Sequence, residues 1–284
     1  MAVNKQTAGG ADVQTHTHFL QRDALYDEEK PYSLRYTPPA GFPRANIKLE
    51  RHGIRVRDVR PAKDDLSFER DGFEVIDFSS QMKYQDWDDD SKIKSVYLRE
   101  VADRLRKALG ACHVQIFEHT VGMAPNIDTT VPWALNMVRS LNPEKAEEII
   151  KHRIQCVKWV IPINWPGAVL TKVSVWKPLV GPVRDWPLAM CEPGTMDVHR
   201  DLEPCDLVYP DYVVENQQVY FSDAFRWLYL SDQQPNEAWI FLQSDTDPSG
   251  KPVAHTAFPM PSSHENTGPR ESIEVRALVY YGGF

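Results

Sequence analysis

A chain of 284 residues with 42% apolar content can bury a substantial core, most simply as one domain with extensions, and its formal net charge of −8 argues against a nucleic-acid groove as the main partner surface. Twenty-two prolines, eight tryptophans and many short apolar runs favour strands and loops over a helical bundle. The polar segment Met1–Gln14 lacks the apolar centre of a signal peptide, no apolar run of about 18 residues is present to span a bilayer, and Cys112, Cys156, Cys191 and Cys205 form no metal-like or CxxC spacing, so the expectation is a soluble, cytoplasmic protein with free thiols.

In chain order, residues 1–30 are polar and expected to form a flexible N-terminal arm, with a single domain over 31–284. Thr15-His-Thr-His18 places two histidines at alternate positions, but in a mobile arm they read as polar residues rather than metal ligands. Turns such as Thr37-Pro-Pro-Ala-Gly41 then alternate with short extended runs such as Phe73-Glu-Val-Ile-Asp-Phe78. A helix is expected to start near Ser91, after aspartates that suit the positive end of its dipole. Ile93, Val96, Tyr97, Val101, Leu105 and Ala108 recur at helical spacing, and Gly110 is its natural stop. This apolar stripe reads as packing surface. His113–Val121 reads as a strand, and His119 within it as a satisfied histidine rather than a ligand. A second helix is expected over 143–152, with Asn142 as cap and Pro143 at the first helical position. Strands and turns follow to the end.

Chemistry concentrates at the C-terminal end. His255-Thr-Ala-Phe258 precedes a polar, proline-rich connection and then Arg270-Glu-Ser-Ile-Glu-Val-Arg276. Neutral imidazole suits divalent iron, and an arginine fork clamps a carboxylate in bidentate fashion. Ser272, two residues on from Arg270, shares its face of a strand and adds a hydroxyl donor. The plain alternative is a surface histidine before a half-buried final strand. A literal His-x-Asp also occurs at His199-Arg-Asp201, within text that reads as a polar loop.

Five segments carry a resemblance: Val175-Trp-Lys-Pro-Leu-Val-Gly-Pro-Val-Arg-Asp-Trp-Pro-Leu-Ala-Met-Cys191, Asp206-Leu-Val-Tyr-Pro-Asp211, Arg226-Trp-Leu-Tyr229, His255-Thr-Ala-Phe258 and Arg270–Arg276. From about Tyr32 to Tyr281 the chain resembles the AsaB-like fungal hydroxylase/desaturase family, which includes the gibberellin desaturase type and relatives of the cephalosporin methoxylase helper protein. The resemblance implies a mainly β jelly roll (double-stranded β-helix) with packing helices. It also implies Fe(II) and 2-oxoglutarate as cofactors, a small-molecule metabolite as partner, and a role in fungal secondary-metabolite biosynthesis. No nucleic-acid or membrane partner is expected; a homo- or heterodimer is left open.

By the same resemblance the metal ligands are His255 and Asp128, with Asn126 where the family has histidine in its His-x-Asp; on spacing alone, and against the family pattern, His199 and Asp201 are the alternative pair. Arg270, Ser272 and Lys177 are implied to bind 2-oxoglutarate, Lys177 replacing the arginine of a Trp-Arg-Pro motif. Phe225 and Gly122 are further departures, standing where the family has histidine and arginine. An amide oxygen is a weaker ligand for iron than imidazole, so two functions stay open: a working oxidoreductase, or a catalytically degenerate relative acting as partner subunit or metabolite-binding scaffold. Trp176, Trp186, Trp227 and Trp239 are candidates to line an apolar substrate pocket. The insert at 158–173 interrupts a strand the family carries straight through. It reads as translated intron, the alternative being an apolar lid that excludes water.

Overall fold

The computed structural model describes residues 12–121, 131–159, 177–261 and 270–282. Its strands are β1 (Val13–Leu20), β2 (Tyr32–Leu34), β3 (Leu49–Asp58), β4 (Phe73–Asp77), β5 (His113–Val121), β6 (Ile154–Trp159), β7 (Lys177–Pro178), β8 (Leu188–Cys191), β9 (Leu202–Val208), β10 (Val213–Val219), β11 (Trp227–Tyr229), β12 (Glu237–Asp245), β13 (His255–Ala257) and β14 (Ser272–Tyr280). The helices are α1 (Phe68–Asp71), α2 (Asp90–Lys92), α3 (Leu98–Ala108), α4 (Val131–Leu141) and α5 (Ala146–Ile149). One sheet runs β1-β3-β11-β8-β13. The sheet facing it runs β4-β12-β6-β14-β5, with β7 added alongside β14, and β10-β9-β2 form a small third sheet.

The two larger sheets close a jelly roll because both contribute one apolar face to a shared interior. Leu188, Met190 and Leu228 meet Phe73, Trp239 and Phe241 there. The outer face of the second sheet carries Ile240, Leu242, Ile273, Val275 and Ala277 against Ile93, Tyr97, Val101 and Leu105 of the helical layer. Strands β12 and β14 are therefore buried on both faces. That is why they read as nearly continuous apolar runs instead of alternating ones. Each such Val, Leu, Ile or Phe contributes about 1.5–3 kcal/mol on burial.

The stripe expected between Ser91 and Gly110 forms the helical layer, but its start differs. Asp89 is the cap, its carboxylate accepting from the N–H groups of Ser91 and Lys92 at 3.0 and 3.2 Å. A wider π-type turn over Ile93–Tyr97 joins α2 to α3, and Gly110 ends the run at φ +63°, a conformation glycine adopts without steric cost.

Two expectations are corrected. The N-terminal arm is not loose from residue 13 on: β1 pairs antiparallel with β3 from Val13↔Val56 to Leu20↔Leu49. It buries Val13, Thr17, Phe19 and Leu20. His16 and His18 alternate onto its other, more open side. The helix expected over 143–152 is also displaced. The long helix is α4, Val131–Leu141; the Asn142 N–H donates to the Val138 carbonyl and its side-chain amide to Gln115 Oε1 at 3.0 Å, so Asn142 closes one helix instead of opening the next. Only the short α5 follows. Residues 160–173 of the insert lie outside the described residues, as do Gly122, Asn126 and Asp128. Among the described residues no helix is long and apolar enough to cross a membrane.

Candidate active site

The C-terminal motif is positioned by the alternation of β14. Ile273, Val275, Ala277 and Val279 pack outward against the helical layer, and Glu271 also points that way, its carboxylate accepting from the Tyr84 hydroxyl at 2.8 Å. Period two then turns Arg270, Ser272, Glu274 and Arg276 to the interior face. All four are buried. Burial pulls the Arg270 guanidinium down to about 9, partly offset by Asp185, so it is a desolvated cation that is still charged at neutral pH. Ser272 is fully buried, and its Oγ has no hydrogen-bond partner among the described residues. A buried hydroxyl left this way costs about 1–3 kcal/mol. A carboxylate acceptor beside it would satisfy that hydroxyl.

His255 comes from the opposite sheet. It pairs with Met190, is 5% exposed, and its ring lies 4.8 Å centroid to centroid from Phe241 of the sheet that carries β14. Its Nδ1 is 3.2 Å from the Val253 carbonyl. A carbonyl only accepts, so Nδ1 is the donor in this contact. That arrangement is the one a metal-binding histidine uses, with the carbonyl setting ring orientation. The donor set present thus fits a divalent iron at His255 Nε2 and a dicarboxylic keto acid at Arg270 and Ser272.

Comparisons with known proteins identify the relatives of this chain. A family model described as "Oxidoreductase/YMDC permease-like domain" matches residues 17–280. The chain is 31% identical over 283 residues to the Fe(II)/2-oxoglutarate-dependent dioxygenase nvfI of Aspergillus novofumigatus, covering 93% of this chain and 95% of that one. It is 31% identical to the alpha-ketoglutarate-dependent dioxygenase tstK of Talaromyces stipitatus, covering 80% and 84%. To the hydroxylase/desaturase poxK of Penicillium oxalicum it is 24% identical, covering 95% and 91%. The solved structure of the iron and alpha-ketoglutarate-dependent endoperoxidase NvfI superposes with a TM-score of 0.80 at 26% identity, over 96% of this chain and 99% of that one. The chain belongs to the fungal iron(II)/2-oxoglutarate-dependent oxygenase family.

Against that family's site, the other candidate residues fall as follows. Lys177 pairs with Ile273 across β7 and β14, so it shares the outward face. Its Nζ sits 5.6 Å from the Phe78 ring and 6.0 Å from that of Trp87, on the far side of the sheet from Ser272. The expected contact with the keto acid is therefore replaced by one with the helical layer. His199 is exposed on a turn. Asp201 is buried but engaged locally, accepting from the Asp197 N–H at 2.9 Å and from Arg200 Nε at 2.7 Å. The Asp201 carboxylate is thus engaged within its own turn. His119 points outward to Asp90 at 2.8 Å.

Trp239 lies in the interior, Trp227 in the cluster on the other face of the first sheet beside Phe225, and Trp186 is 44% exposed. Trp176 is outside the described residues. Among the described residues no group of three His, Cys, Asp or Glu side chains converges as a metal cage.

Residue types alone did not single out Phe241, Met190, or the buried Arg276, whose Nη1 lies 3.0 Å from Glu118 Oε2. Arg276 carried a legible signal, since it continues the period-two series from Arg270 and Ser272. The contact of Phe241 with His255 joins two sheets and has no local signal.

Proposed function

We propose that this chain is a hydroxylase or desaturase that uses Fe(II) and 2-oxoglutarate to oxidise a small metabolite. The observation that carries the reading is the buried Arg270–Ser272 pair, cation beside unsatisfied hydroxyl, on the interior face opposite a His255 whose Nδ1 donates to a backbone carbonyl. In this reading His255 Nε2 and the Asp128 carboxylate hold the metal, with the Asn126 amide at the third position. Arg270 binds the remote carboxylate of 2-oxoglutarate as a fork and the Ser272 hydroxyl donates to it. When bound, iron with its keto acid and dioxygen supplies the oxidation of an unactivated C–H bond. The chain orients the keto acid, keeps the His255 proton on Nδ1, and excludes water with Phe241 and Trp239.

Anaerobic addition of Fe(II) and 2-oxoglutarate is expected to raise a weak visible charge-transfer band. Arg270→Ala should weaken 2-oxoglutarate in that titration by about 10–100-fold, the value of a charge-assisted hydrogen bond. An unchanged affinity would remove Arg270 from the site. Asn126 favours a second reading, a relative that keeps the fold as a scaffold. Asn126→His separates the two: a band gained only in this variant, and none in the parent protein, selects the scaffold.

A further inference from the structure

A cleft of about 630 Å³ opens between the β3–β11 side of the first sheet and the start of β4, and neither His255, Arg270 nor Ser272 lines it. Its floor is apolar, made by Val59, Leu66, Phe73 and Leu228. Its rim carries both signs of charge, Arg57, Arg70 and Lys251 with Asp58, Asp65, Asp71 and Glu192, and two of the three cations are ion-paired there. Arg57 Nη2 donates to Glu192 Oε1 at 2.9 Å, Arg70 Nη2 to Asp71 Oδ2 at 2.7 Å, and Lys251 Nζ to the Arg70 carbonyl at 2.6 Å. An anionic occupant would meet four carboxylates against three cations, two of them already ion-paired; a neutral one would meet no such repulsion.

Strand register fixes where the floor leads. Leu228 pairs with Arg57 on one side and Met190 on the other, and Met190 pairs with His255. These four residues form one transverse row, with side chains on the same face of the sheet. Neighbouring strands lie about 4.8 Å apart, so the Leu228 backbone is roughly 10 Å from that of His255. On the facing sheet Phe73 pairs with Phe241, whose ring meets His255. One layer of side chains, Met190 and Phe241, therefore separates the cleft floor from His255. Methionine is the side chain best able to rearrange within such a layer.

The geometry points to this cleft as a binding site for a neutral, largely hydrocarbon small molecule, seated with its inner end against the Met190–Phe241 layer. Its volume is in the range of about 300–1,000 Å³ that small-molecule sites occupy. Resting on the reading of His255 given above, the occupant is the apolar body of the organic substrate, its reacting end reaching His255 as Met190 rearranges, which makes the substrate class a neutral, carbon-rich metabolite rather than a carboxylate or phosphate.

Two related fluorophores test this on the full-length, metal-free protein: neutral N-phenyl-1-naphthylamine and anionic 8-anilinonaphthalene-1-sulfonate. The neutral probe should saturate a single site at least tenfold more tightly than the anionic one. Leu228→Trp, which fills the floor, and Ala62→Trp, which narrows the rim, should each weaken it tenfold or more. Ala62 is exposed, so the rim variant keeps the test decisive if the floor variant does not fold. Unchanged affinity for the neutral probe in folded Ala62→Trp overturns the site, and tighter binding of the anionic probe overturns the neutral class. The charge-transfer titration reads iron and 2-oxoglutarate separately. A missing band with probe binding intact defeats the oxygenase reading and leaves the cleft standing.

Discussion

A lysine ammonium only 6% exposed, with Nζ 5.6 Å from one aromatic ring and 6.0 Å from another, has exchanged most of its hydration for two π faces. Burial pulls the Lys177 pKa down from 10.5 to about 8, with Glu100 acting the other way. The unfolded chain, holding an ordinary lysine, therefore binds more protons than the folded one between about 8 and 10.5, and stability rises with pH across that window. Below about 8 the full penalty of the charged buried amine is present, about 3 kcal/mol at ~1.4 kcal/mol per pKa unit, less what the rings return. Lys177→Met keeps the volume and removes the charge. It should raise stability near pH 7 by about 2 kcal/mol and flatten the rise above pH 8. Urea unfolding near pH 7 and near pH 10 measures both effects, and a variant less stable than the parent at each pH would contradict the assignment.

At the scale of elements, the helical layer begins at one carboxylate. Asp89 accepts from two otherwise unsatisfied N–H groups at the start of a run that goes on to bury Ile93, Tyr97, Val101 and Leu105. Asp89→Ala should cost about 1 kcal/mol and Asp89→Asn much less; thermal unfolding of the pair distinguishes loss of a cap from loss of a charge. Much of this layer and of β4, β5 and β14 was legible in the sequence, because apolar residues recur there at helical spacing or in strand-length runs. Strand β1 was not, since Thr15-His-Thr-His18 alternates two polar residue types and hides which face is buried. Helix α4 was obscured by the strong capping text at Asn142-Pro143, which marks an ending as readily as a beginning. The motif Arg270–Ser272 announced its shared face through its spacing. The facing of Lys177 could not be read, because the parity of a two-residue strand is set by its partner Ile273 and not by its own sequence.

Across the whole molecule, the N-terminal strand ties distant parts together. Beyond its register with β3, Thr17 Oγ1 lies 3.0 Å from Thr256 Oγ1 and Thr15 Oγ1 donates to the Pro259 carbonyl at 2.7 Å, on either side of the segment that follows His255. Phe19 packs edge-on against Trp227 and Phe221. Deleting residues 1–20 removes three buried apolar side chains, Val13, Phe19 and Leu20, together with both threonine contacts. The midpoint of thermal unfolding should fall by on the order of 10 °C. A truncated protein melting within about 2 °C of the full chain would show β1 to be an accessory.

The same strand constrains biosynthesis. Thr15 and Pro259 are 244 residues apart in sequence. At about 5–20 residues per second, a ribosome takes roughly 12–50 s to deliver the second after the first. The threonines of β1 thus wait uncommitted until the 244 residues that follow Thr15 have been made, and the segment carrying His255 is fastened only then.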